Sequence, residues 1–193
     1  MAVHSYRLVT EEEYLKHERQ AQTKSEYVRG EIFALAGDSA SHNTITVNLV
    51  ASLHTQLRGT GCRVWVNDMR VRVVEAGAYF YPDVVVVCGQ PQFLDEHQDT
   101  LLNPMLIVEV LSPSTEAFDR GEKSFYYRRL SSLREYLLVS QDRVRIERYV
   151  RQANGEWLLH DYTEPGQIVR LESLGVEMPV AQIYEGIDFA DLR

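Results

Sequence analysis

The chain has only two cysteines, Cys62 and Cys88, and they form no CxxC pair. Neither heads a spaced thiol motif, and in their apolar, strand-like surroundings both read as buried free thiols. Residues 1–18, MAVHSYRLVTEEEYLKHE, hold no apolar stretch able to serve as a signal peptide. No later run approaches membrane-spanning length, so the expectation is a cytoplasmic protein with no membrane part. Positive charge is not in surplus: 20 Lys and Arg stand against 28 Asp and Glu, a formal net charge of −8. That balance excludes a generally basic nucleic-acid coat but not a local basic groove, because phosphate contacts depend on clustered charge. Repeats, linkers and low-complexity segments are absent, and 193 residues suit one domain over 1–193 with a sizeable core.

What is present begins with Thr10 and Glu11 to Glu13, a capping-box start to a short helix. SEYVRGEIFALAG predicts two short strands around a tight turn at Arg29-Gly30, flanked by Glu26 and Glu31. Residues 39–58 predict a helix, with Ile45, Leu49, Leu53 and Leu57 at intervals of four and Gly59 as its stop. His42 sits in its first turn, where a polar residue is either a cap or a place to meet an anion such as phosphate. CRVWVN and MRVRVVE predict two antiparallel strands with Arg63, Arg70 and Arg72 facing out, either solvated or forming the basic wall of a DNA groove. Toward the C-terminus, EYLLVS predicts a buried strand. RVRIERYVRQ, EWLLHDYT and QIVRL predict a meander, and PVAQIYEGIDF a short closing helix.

The centre holds two apolar strands, 83–88 and 105–111, each carrying one acid, Asp83 and Glu109. A carboxylate in such a run is costly to desolvate unless a cation or donors meet it. Alternate strand residues share a face, so neighbouring strands can bring Asp83 and Glu109 to one divalent cation. Mg²⁺ suits carboxylate and carbonyl oxygen with retained waters, and the Val110 carbonyl offers a further ligand. The following helix, expected over 119–132 with a capping box at Asp119 and Glu122, turns Lys123 toward its apolar face with Tyr126, Tyr127 and Leu130. A lysine there can orient or deprotonate a water and offset the charge developing on a phosphodiester. The plainer reading is a structural ion pair between Lys123 and one of the acids. Isolated buried pairs stabilise poorly beside apolar substitutes, so three charged residues on three core elements favour a site.

YPDVVVV, LIVEVLSPST and DRGEKSFYYR resemble the Uma-type putative restriction endonuclease family, part of the PD-(D/E)XK nuclease superfamily. SEYVRGEIFALAG, SHNTITVNL, CRVWVNDMRV, SLREYLLV and IYEGI extend the likeness over almost the whole chain. The resemblance implies an α/β (α+β) restriction-endonuclease-like core: a central mixed sheet flanked by helices, with extra antiparallel strands at both ends. It implies Asp83 and Glu109 as the acids of a Mg²⁺ site, with Mn²⁺ able to substitute, and DNA cut by a homodimer. The early acid of the superfamily corresponds to Glu31 or Glu26, with Glu31 preferred for leading into its strand. In the plain superfamily pattern a lysine stands two residues after the second acid, where this chain has Leu111. Lys123, on the following helix, then supplies that charge. The alternative is an inactive protein of the same fold that binds nucleic acid or protein.

Overall fold

Strands that are apolar on both faces must be covered on both faces, and that requirement sets the layers of this molecule. The structure is a computed structural model that describes residues 8–35 and 37–189. Its first half contains α1 (Glu11–Glu18), β1 (Ser25–Val28), β2 (Glu31–Ala34), α2 (Ala40–Gln56), β3 (Cys62–Val66), β4 (Arg70–Val73) and β5 (Ala78–Phe80). Next come β6 (Val84–Cys88), β7 (Thr100–Leu101) and β8 (Leu106–Leu111), then a split helix over 116–127. The remainder is β9 (Glu135–Ser140), β10 (Ile146–Arg151), β11 (Trp157–Tyr162), β12 (Ile168–Leu171), β13 (Val176–Pro179) and a short helix, Val180–Ile183.

The main sheet has the order β11-β10-β9-β8-β6-β3, with β8 and β9 parallel and its other neighbours antiparallel. The three apolar strands are therefore neighbours, as their composition predicts. Val84, Val86, Leu106 and Val108 pack on Ile45, Leu49 and Leu53 of α2. On the other face, Val85, Val87, Ile107 and Leu111 join Tyr126 and Tyr127 of the split helix and Leu130 just beyond it. A second sheet, β2-β1-β5-β4-β7, adds Val71, Val73 and Phe80 to that same cluster. The result is the mixed sheet flanked by helices that the sequence implies. Among the described residues, no helix is long and apolar enough to cross a membrane.

Local signals act as expected at several places. Thr10 and Glu13 form the reciprocal capping box, and Ser39 caps α2. The β1–β2 turn takes Arg29 and Gly30 at φ 48° and 100°, the left-handed pair that a tight hairpin demands.

Other expectations need correction. β3 and β4 do not pair with each other; β3 lies against β6, and β4 against β5 and β7. β12 leaves the expected meander to form a separate hairpin with β13. Asp119 is not a helix cap: the helical run begins at Glu116, and Asp119–Lys123 forms a wide π turn inside it. The two cysteines are not free. The β3–β6 register sets Cys62 opposite Cys88, and they form a disulfide.

Arg70 does not face solvent either. It is buried, donating to Thr100, to the Tyr81 hydroxyl and, at 2.6 Å, to Asp99, which also holds Arg19. Burial alone would raise the Asp99 pKa, but Arg19, Thr100 and Arg70 hold it well below the usual carboxylate range. A depressed folded pKa contributes stability above the unfolded value, and that stability is lost as pH falls. We expect Asp99→Asn to lower the unfolding free energy by about 1.5–3 kcal/mol at neutral pH, the scale of a charged hydrogen bond. In parallel denaturant titrations the gap to the parent should narrow as pH drops below about 4.

Candidate active site

The antiparallel register that sets Val84 opposite Val108 also sets Asp83 opposite Glu109, one step further along both strands. The Val110 N–H donates to Asp83 Oδ2 at 2.6 Å, fixing the first acid beside the second strand. Glu109 is buried and follows Ile107 on the face that meets the split helix. From that helix Lys123, only 4% exposed, reaches Glu109 Oε1 at 3.0 Å, Glu26 Oε1 at 2.8 Å and Asp119 Oδ1 at 3.4 Å. Tyr127, one turn on, donates its hydroxyl to Glu109 Oε1 at 2.9 Å. The contacts converge because the split helix folds back over β8, and its π turn, a form often found at functional sites, spans Asp119 to Lys123.

The other side of the cleft is the start of α2. His42 is buried, with Nε2 3.2 Å from Asp83 Oδ2 and 3.8 Å from Asp38. Its Nδ1 is buried without a hydrogen-bond partner. Burial alone would lower the His42 pKa, yet Asp83, Asp38 and the Val110 backbone raise it. Apart from Tyr127, which backs Glu109 from inside, these side chains line one cleft of about 300 Å³, together with Lys24, Ser112 and Gln141.

Charge decides what this cleft can do. Glu26, Asp83, Glu109 and Asp119 face one lysine and one histidine, which leaves two negative charges over even with His42 protonated. Burial drives the Glu109 pKa well above its ordinary value. Lys123 opposes that shift, while Asp119, Asp83 and Glu26 reinforce it. Burial alone would lower the Lys123 pKa, but Glu109, Glu26 and Asp119 hold it well above its usual value. The ammonium therefore stays charged, and the Glu109 carboxyl is pushed toward its neutral form.

Among the described residues, no group of three or more His, Cys, Asp and Glu is arranged to hold a metal alone. A hard divalent ion does not need one, because Mg²⁺ keeps several waters and takes one or two carboxylates. The described contacts fall on Asp83 Oδ2 and Glu109 Oε1, so each carboxylate has a second oxygen for such an ion. The donor chemistry and the surplus charge both fit.

The residues singled out from sequence separate into two groups. Asp83, Glu109, Val110, Lys123 and His42 all line the cleft. Glu31 does not: it lies exposed on β2, which is the edge of the second sheet, and Glu26 lines the cleft from β1. Glu26 is buried and accepts the Tyr81 N–H at 3.0 Å. Arg70 and Arg72 are also elsewhere, Arg70 bound to Asp99 and Arg72 to Glu11 at 2.8 Å. Sequence reasoning missed Asp119 and Tyr127 as partners of the cluster. Their spacing from Lys123, four residues on either side, is the signal that could have found them.

Comparison with known proteins gives the same outline. The profile of a family described as "Uma2: Putative restriction endonuclease" matches residues 11–181. Two proteins of Synechocystis sp. (strain ATCC 27184 / PCC 6803 / Kazusa), both named only as uncharacterized, resemble the chain. One is 42% identical over 159 residues, covering 82% of this chain and 90% of the relative. The other is 38% identical over 178 residues, covering 92% of each. A crystal structure from Anabaena variabilis, described as a putative nuclease belonging to DUF820, superposes with a TM-score of 0.76. It covers 91% of this chain and 97% of its own, and at 18% identity the likeness concerns the fold.

Proposed function

The chain belongs to the Uma2 family of putative restriction endonucleases, and from that premise we propose that it is a Mg²⁺-dependent endonuclease hydrolysing DNA phosphodiester bonds. The observation that carries the reading is the cluster of four carboxylates, three of them buried, around Lys123 and His42, with its surplus of negative charge facing an open cleft. Asp83, Glu109 and the Val110 carbonyl would hold the ion, and Mn²⁺ would serve in its place. Bound there, the ion would lower the pKa of a water and offset charge on the phosphate.

The chain's own residues do the rest. Lys123, kept protonated by its carboxylates, presents positive charge where the five-coordinate phosphate develops negative charge. Glu26 and Asp119 hold that ammonium in place, and Tyr127 fixes the Glu109 carboxylate. His42 orients Asp83 from the α2 side. Water adds to phosphorus and gives up a proton to solvent, the P–O bond to the leaving oxygen breaks, and that oxygen takes a proton from solvent. Cutting both strands would call for two copies of the chain.

A second reading, an inactive nuclease fold that binds nucleic acid or protein, has one observation in its favour: the Lys123 ammonium is already engaged by three carboxylates. Nicking of a supercoiled plasmid with Mg²⁺ or Mn²⁺, and none with EDTA, separates the two readings. In the same assay Glu26→Gln should slow nicking by roughly tenfold or more, the scale on which misplacing an acting group costs rate. Glu31→Gln should leave both rate and stability unchanged. A rate that responded to Glu31 and not to Glu26 would reverse the assignment of the early acid.

A further inference from the structure

We propose that the face built from Arg128, Arg129, Arg134 and Arg151, with Phe125 and Trp157, binds the phosphate backbone of DNA leaving the cleft. The identity of the occupant rests on the DNA reading above; the surface itself rests on separate observations.

The first observation is unpaired charge. In this acidic protein many arginines are tied to carboxylates, as Arg19, Arg70, Arg120 and Arg148 are. Among the described residues Arg128, Arg129, Arg134 and Arg151 have no ion-pair partner, and the side-chain hydrogen bonds of Arg128 and Arg151 run to backbone carbonyls. The second is contiguity. Arg151 donates to the carbonyls of Arg128, Leu130 and Leu133, and its own N–H bonds the Arg134 carbonyl at 2.8 Å. Burial and the charge of Arg134 both lower the Arg151 pKa, so cations are crowded here without compensation. The third is shape. The Arg129 guanidinium lies 4.4 Å over the Phe125 ring, which is 49% exposed, and that of Arg151 lies 4.6 Å over Trp157. Rings hold guanidinium planes in position, and the planar fork matches phosphate oxygens.

Placement connects the face to the cleft. Arg128 follows Lys123 by five residues along the same helical run, about 7–8 Å at 1.5 Å per residue. Arg134 and Arg151 lie at the Met105 end of β8, about 13 Å along that strand from Glu109, so the arginines would meet the duplex beyond the phosphate held in the cleft. A duplex backbone carries its negative charge at a fixed, unbroken spacing, which favours a nucleic acid over an acidic peptide as the occupant of a cluster of unpaired guanidinium groups.

The test reads binding, not cleavage. Anisotropy of a labelled 20-base-pair duplex is followed in EDTA across a salt series, with melting temperatures as a fold check. Arg128→Glu/Arg134→Glu is compared with Lys16→Glu/Arg58→Glu, which changes charge equally at exposed cations on α1 and just after α2. The first pair should weaken binding about tenfold or more and reduce the slope of log affinity against log salt by roughly two. The control should change affinity less than about threefold. Should the glutamate pair unfold, Arg128→Gln/Arg134→Gln should lose the same two units of slope. Unchanged binding, equal losses in patch and control variants, or poly-aspartate binding as tightly as the duplex would each overturn the proposal. A protein that binds DNA through this face without nicking it would retain the surface and sink the nuclease reading alone.

Discussion

Lys123→Ala is expected to slow plasmid nicking by a factor of roughly 10² or more, the usual cost of removing a charge that stabilises a transition state. Among the described residues the ammonium is the one cation that touches Glu109, Glu26 and Asp119 together. Calorimetry should still detect metal binding, because the ion's oxygens come from Asp83, Glu109 and Val110. The variant should also become sensitive to alkali. Without the lysine, which opposes the effect of burial, Glu109 holds its proton more tightly in the folded than in the unfolded chain. A raised folded pKa contributes stability at low pH and loses it as pH rises. The melting temperature of Lys123→Ala should therefore fall further below the parent's at pH 8 than at pH 5. Leu111 shares the face of Glu109 within the same apolar cluster. Leu111→Lys in this background should restore part of the nicking if the location of the ammonium matters more than the element that carries it. A Lys123→Ala protein that nicks as fast as the parent would end the assignment.

The second large effect concerns the ion. Mg²⁺ that binds only the folded chain should stabilise it by about 2.7 kcal/mol at a hundredfold excess over its dissociation constant. For a chain of this length that corresponds to a rise in melting temperature of roughly 5–10 °C. Asp83→Asn should abolish most of that rise while leaving the metal-free protein close to the parent. The amide can still accept from the Val110 N–H, and Glu109 loses a neighbour that raises its pKa. Against this, His42 loses its counter-charge, so the two changes offset each other. Equal Mg²⁺-induced shifts in parent and variant would place the ion elsewhere.

Local chemistry made some of this molecule legible from sequence. A strand with no polar face has only one kind of place to go, so 84–88, 106–111 and 135–140 pair at the centre. Asp83 at the head of the first run and Glu109 inside the second stand out because burying them is costly. Lys123 stands out because its helical neighbours are apolar, even though the helix holds a wide turn instead of the cap expected at Asp119.

What was not legible depends on pairings between distant parts of the chain. Glu26 and Glu31 flank the same hairpin. Glu26 is the buried one because β5 pairs with β1, setting Tyr27 opposite Tyr79, and leaves β2 at the edge. Arg70 alternates with valines as a solvated arginine would. Its burial follows from β7 arriving alongside with Thr100 and from the adjacent Asp99. Neither partner is visible from the residues around it.

The bridge between Cys62 and Cys88 spans 26 residues of chain, including β4 and β5. Closing a loop of that length removes about 3–4 kcal/mol of conformational freedom from the denatured ensemble on a chain-entropy estimate. The oxidised chain thus keeps an edge strand tethered to the strand that leads out of Asp83 even when nothing else is folded. The reduced chain has to find that register again across the whole loop. Melting curves taken with and without a thiol reductant begin from the same fold but end in two different polymers.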